Sequence, residues 1–180
     1  MRIKKEDSLA LFIDVQSKLF PFIAGNAELS SNIIKLLNGL IVLDVDIIIT
    51  EQYSKGLGST IEPILNNISD YKYFEKMSFS CCGHSEFMNE LELRNKKNII
   101  IAGIESHVCV FQTVIDLIQN NYKPVVIEDC ISSRKENDKK IAVNRMIKEG
   151  AIISTYESIL FELCEISGTE QFKKISKIVK

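Results

Sequence analysis

Short runs of β-branched residues, each followed by a stretch whose apolar positions recur at helical spacing, alternate from residue 8 to the end of the chain. This alternation constrains the fold more than any other feature. A strand apolar at every position has no face to give to water, so it must be covered on both sides, as in parallel sheets built from βα units. Strands are expected at Ser8 to Ile13, Asp46 to Thr50, Asn98 to Ala102, Pro124 to Ile127 and Ala151 to Ser154, with a weaker one around Tyr71 to Phe74. Helices are expected from Ser30 or Ser31 to Leu43, Thr60 to Leu65, Glu86 to Leu93 behind His84 or Ser85, Ser106 to Gln119, and Asn137 to Lys148. A C-terminal pair completes the set, its second helix opened by the capping box Ser167-Gly168-Thr169-Glu170. The expected fold class is α/β, a three-layer αβα doubly wound sheet of about six parallel strands in the order 3-2-1-4-5-6.

The 180 residues, 46% of them hydrophobic, are enough for one sizeable core, so residues 1–180 are read as a single domain. Lys and Arg total 22 against 24 Asp and Glu, with no long run of one sign. Nucleic acid is therefore not expected as a partner, because phosphate binding needs concentrated positive charge. No apolar stretch reaches membrane-spanning length, and the N-terminal residues lead into a strand instead of a signal sequence. No membrane association and a cytoplasmic location are expected. The five cysteines, Cys81, Cys82, Cys109, Cys130 and Cys164, are odd in number and contain no C-x-x-C, which points to free thiols.

In open parallel sheets the ligand crevice lies at the carboxyl ends of the strands, where strand order reverses. Asp14 ends the first strand, Lys76 follows the third, and Cys109 lies between the fourth strand and the helix after it. Each has a plain structural explanation by itself: a loop cap, a solvated charge, a packed thiol. In the order 3-2-1-4-5-6, however, strands one and four are neighbours, so Asp14 and Cys109 converge and the exit of strand three reaches the same crevice. A thiol, a base and a cation then meet, as covalent catalysis requires. With Ser106 as N-cap, Cys109 is the third helical residue, where free amides and the helix dipole favour a thiolate. Lys76 adds to that shift, whereas Asp14 opposes it but can receive the proton, so the alternative is a thiol beside a carboxylate that passes its proton as attack begins; Cys109 is expected to be the thiol alkylated fastest.

Asp14 in Ile13-Asp14-Val15-Gln16, Lys76 in Lys76-Met77-Ser78-Phe79-Ser80, and Cys109 in Gly103-Ile104-Glu105-Ser106-His107-Val108-Cys109-Val110 resemble the Asp, Lys and Cys motifs of isochorismatase-like hydrolases. The resemblance is closer to the isochorismatase domain-containing branch, through Thr50-Glu51-Gln52-Tyr53, Gly56-Leu57-Gly58, Asp129 to Arg134 and Ser154 to Leu160. It implies a cysteine hydrolase acting on a small amide-like carbonyl substrate through a thioester. Asp14 would be the general base, Lys76 its electrostatic partner and Cys109 the nucleophile. The resemblance further implies a cis peptide at Ile104-Glu105, with the amides of Glu105 and Cys109 forming an oxyanion hole.

Gln52, Tyr53, Phe79, Ile104 and His107 are candidate substrate-binding residues. Asp129 and Arg134 are read as loop and interface residues. Nicotinamidases of the superfamily carry a metal site of an Asp and histidines after the second strand. Here Glu51-Gln52-Tyr53 stands there and the only histidines are His84 and His107, so no metal and no cofactor are expected. Isochorismatase itself, which cleaves a vinyl ether, lacks the catalytic cysteine, so Cys109 favours attack on a carbonyl. The resemblance also implies a homo-oligomer. Two other classes compete: a catalytically idle member serving as an oligomeric binding or scaffold protein, and a thiol redox protein, for which no resolving cysteine is evident.

Overall fold

The structure, a computed structural model, describes residues 2–180. Its centre is a six-stranded, wholly parallel sheet in the order β3-β2-β1-β4-β5-β6, as expected from the sequence. The strands are β1 (Ser8–Ile13), β2 (Asp46–Gln52), β3 (Lys72–Lys76), β4 (Asn98–Ile104), β5 (Lys123–Ser132) and β6 (Ile152–Ser154). The helices are α1 (Asn26–Val42), α2 (Ser54–Leu57), α3 (Glu62–Leu65), α4 (Ser85–Arg94), α5 (Phe111–Gln119), α6 (Glu136–Glu149), α7 (Tyr156–Cys164) and α8 (Glu170–Val179).

Successive strand residues point to opposite faces, and the core divides accordingly. Ala10, Phe12, Ile47, Ile49, Ile100, Ala102 and Val125 pack with α1, α7 and α8 on one face. Leu9, Leu11, Ile13, Ile48, Ile99, Ile101 and Val126 pack with α4, α5 and α6 on the other. That two-sided burial is why the strands read as unbroken apolar runs: all six residues of β1 and all seven of β4 are buried.

Several boundaries differ from the sequence expectation. Helix α1 begins at Asn26, well before Ser30, because Gly25 turns the chain at φ 65° and starts the helix without a side-chain cap. The cap of α8 is Thr169, whose hydroxyl accepts from the Phe172 amide, instead of Ser167. His84 does cap α4, its ring nitrogen accepting from the Phe87 amide. Ser106 is not an N-cap: Ser106–Val110 forms a turn of π-helix flanked by Glu105, and Cys109 is its fourth residue. Such turns are uncommon and concentrate at functional sites.

Among the described residues, no helix is long and apolar enough to cross a membrane.

Candidate active site

The reversal point lies between β1 and β4, whose last paired residues are Ile13 and Gly103. Gly103 has φ 134°, and a Cβ there would collide with the Ile13 backbone. The glycine thus lets the two strands close at the point where both chains turn into the crevice. Asp14 follows at φ 52°, its amide still donating to the Thr50 carbonyl at 3.1 Å. This left-handed conformation is one that Asp tolerates better than most residues, and it takes the carboxylate out of the strand alternation. On the β4 side, the Ile104-Glu105 peptide is cis, as the family resemblance implied.

The Asp14 carboxylate is held on both oxygens. Lys76 Nζ donates to Oδ2 at 2.6 Å and Thr50 Oγ1 donates to Oδ1 at 2.8 Å. Lys76 also donates to the carbonyls of Ser78, at 3.1 Å, and Phe79, at 3.0 Å. Both charged side chains are almost wholly removed from solvent, at 1% for Lys76 and 2% for Asp14. A buried pair of this kind survives desolvation only when its remaining hydrogen-bonding capacity is met, which Thr50 and the two carbonyls do here. Burial opposes the Lys76 charge, but the anionic forms of Cys81, Asp14 and Cys109 outweigh it and raise its pKa.

Cys109 is buried, and its Sγ donates to Gln52 Oε1 at 3.1 Å. Burial, reinforced by the Asp14 carboxylate, pushes its thiol well above the ordinary range despite Lys76. Burial and the neighbouring Asp14 thus act against the lowering expected from a helix N-terminus and from Lys76.

Cys109, Asp14, Gln52, Phe79, Ile104 and Glu105 line one cavity of about 230 Å³, together with Leu19, Leu57, Val108 and Arg134. Lys76 sits behind Asp14 and acts on the cavity through it. Two larger clefts, of about 540 and 380 Å³, hold none of the predicted site residues.

Two predicted binding residues are not brought to this cavity. His107 turns away, its Nδ1 lying 2.9 Å from Ser133 Oγ, and lines a separate cleft with Phe111 and Arg145. Tyr53, at φ 41°, is about half exposed and does not line the cavity wall. Conversely, Arg134, read from the sequence as a loop or interface residue, reaches the cavity. Its backbone N–H and its Nε both donate to Glu105 Oε2, at 2.9 and 3.0 Å, and the residue lines the cavity. Asp129 does lie elsewhere, accepting from the Tyr156 amide at 2.9 Å. Gln16 was also missed. Its fully buried amide accepts from the Gln52 amide and donates to the carbonyls of Gln52 and Gly58, fixing the exit of β2. The only sequence signal for it is its place two residues after Asp14.

The β2 exit offers no metal ligands in the nicotinamidase manner. Glu51 is engaged by Thr60 and Tyr73, and both histidines are committed elsewhere. Among the described residues, no three of His, Cys, Asp or Glu are grouped to hold an ion. All five cysteines are free thiols.

Residues 8–158 match the isochorismatase domain model. Isochorismatase family protein 1B of Dictyostelium discoideum is 40% identical over 188 aligned residues, covering 99% of this chain and 89% of that protein. Mouse isochorismatase domain-containing protein 2A is 33% identical over 180 residues, covering 99% and 85%. Among solved structures, the MAR1 ribonuclease of Caenorhabditis elegans superposes with a TM-score of 0.94 at 32% identity, over 99% of this chain and 92% of that one.

Proposed function

The chain belongs to the isochorismatase family, and we propose that within it this protein is a metal-independent cysteine hydrolase of small amide-like carbonyl compounds. The observation that carries this reading is that Cys109 and Asp14 line one small cavity, with the Asp14 carboxylate fixed from behind by Lys76 and Thr50.

In this reading Asp14 takes the Cys109 proton as the sulfur attacks the carbonyl carbon. A C–S bond forms and the carbonyl oxygen becomes an oxyanion, received by the backbone amides of Glu105 and Cys109. Asp14 then returns the proton to the departing nitrogen, the C–N bond breaks, and ammonia or an amine leaves a thioester. Water, deprotonated by Asp14, attacks the thioester carbon; the C–S bond breaks, the acid departs and the thiol is restored. Lys76 keeps its charge throughout. It offsets the Asp14 anion in the resting state and the charge that passes through sulfur to the oxyanion while Asp14 holds the proton. A raised resting thiol pKa fits such a cycle, since the proton must move only as attack begins.

The C. elegans structure is named a ribonuclease. Receiving a phosphodiester would require free cations facing the cavity, yet here Lys76 is spent on Asp14 and Arg134 is bound to Glu105. The cavity volume and its apolar wall favour a small carbonyl compound. One domain spanning the whole chain, a cytoplasmic location and a homo-oligomer complete the reading. The free thiols support the location, and the family resemblance supports the oligomer.

The test is ammonia release from a panel of small primary amides, comparing the wild-type protein with Cys109→Ala and with a parallel assay of RNA cleavage. Turnover lost in the variant and untouched by chelators supports the reading. RNA cleavage without amide turnover, or no turnover of any amide, would overturn it in favour of a nuclease or an idle binding protein.

A further inference from the structure

Four charged side chains surround the cavity, and they form two closed pairs. Lys76 and Asp14 make the first. The second is Arg134 with Glu105, whose side chain is 7% exposed while that of Arg134 is 59% exposed. Two N–H groups of Arg134, one backbone and one from the guanidinium, converge on the same Glu105 oxygen at 2.9 and 3.0 Å. Arg134 thereby receives a carboxylate through one backbone and one guanidinium N–H, both on a single oxygen. The carboxylate received is the chain's own.

We propose that Glu105 is a specificity-determining residue: it fills the anion site that Arg134 would otherwise offer, so that the cavity accepts uncharged carboxamides with a short apolar substituent and rejects anionic ones. This rests on the reading of the cavity as a site of attack at a carbonyl. An incoming anion would have to share Arg134 with Glu105 while standing beside two resident carboxylates, Glu105 and Asp14. Half of the lining, Leu19, Leu57, Phe79, Ile104 and Val108, is apolar and adds no further cation to receive it. A neutral amide meets the opposite conditions. Its substituent replaces water against those five side chains. Its NH2 group finds an acceptor in Gln52 Oε1, which now receives the Cys109 thiol.

The test is calorimetric binding to Cys109→Ala protein, which retains both charge pairs and cannot turn the ligand over. Isobutyramide serves as the neutral probe and oxamate as an anionic amide of similar size. Isobutyramide should bind roughly tenfold or more tightly than oxamate, the scale of one hydrogen bond to a charged group. Adding Glu105→Gln should reverse the order by freeing Arg134. Adding Arg134→Leu instead, which takes the cation from Glu105, should weaken oxamate several-fold more than isobutyramide, which separates selectivity from general damage to the loop. Oxamate binding more tightly than isobutyramide to the parent, an unchanged ratio in Glu105→Gln, or no binding of either compound would overturn the proposal. Because no catalysis is read, these outcomes are distinct from a failure of amide turnover in the wild-type protein.

Discussion

Lys76 Nζ lies 2.6 Å from Asp14 Oδ2, at the closed end of a cavity that Lys76 itself does not line. The two partners are not equally dependent on each other. Lys76 keeps two carbonyl acceptors if the carboxylate is removed, whereas Asp14 without Lys76 keeps only the Thr50 hydroxyl.

Removing the ammonium should therefore be the more damaging change. Lys76→Met is expected to cost about 3–5 kcal/mol, the usual consequence of stranding a buried charge, and Asp14→Asn distinctly less. The double variant should recover part of the loss. Urea denaturation of the four proteins measures the cycle, and strictly additive losses would show that the two residues do not act as a pair.

Labelling and turnover should respond to Asp14 in opposite directions. The carboxylate helps to hold the Cys109 thiol protonated, so Asp14→Asn should speed iodoacetamide labelling of Cys109 at neutral pH. The same change removes the proton acceptor and should abolish amide hydrolysis. Mass spectrometry of the labelled site beside an ammonia assay reads both, and slower labelling in the variant would contradict the electrostatics described here.

Stability should fall in mildly alkaline solution. Burial pushes the Cys81 thiol up to about 11 and holds Cys109 and Cys130 well above the ordinary value. A group whose folded pKa is raised contributes stability that is complete below its unfolded pKa, about 8.5 for a thiol, and lost as pH rises above it. The expected loss is on the order of 1 kcal/mol per pH unit for each such thiol. A urea midpoint that stays level from neutral pH to about pH 10 would refute this. Cys130→Ala, remote from the cavity, should flatten the slope.

Gly103→Ala should disturb both stability and activity. The added methyl would meet the Ile13 backbone in a conformation, φ 134°, that L-residues rarely adopt. A loss of about 2–3 kcal/mol is expected, with turnover falling further because Gly103 joins the strand carrying Asp14 to the turn carrying Cys109. Thermal denaturation and the amide assay check the two effects, and a fully active, equally stable variant would show that the strands can separate there.

The sequence by itself determined the sheet and the identity of the central residues. Unbroken apolar runs in β1 and β4 required cover on both faces, and the alternation with helices implied the parallel order. Asp14, Lys76 and Cys109 could be named because each stands at a strand exit in a recognisable short motif. Helix starts were less legible, since Gly25 and Thr169 do the work that nearby serines were equally able to do. Only the tertiary structure decided what each side chain meets. Lys76 and Asp14 are 62 positions apart, and Arg134 and Glu105 are 29 apart. Local spacing cannot specify such contacts, so it could not show that Arg134 enters the cavity or that His107 turns to Ser133. How the proton is held between Cys109 and Asp14 depends on the fold for the same reason. It follows from how far water is excluded and which charges stand nearby, and both are properties of the folded chain.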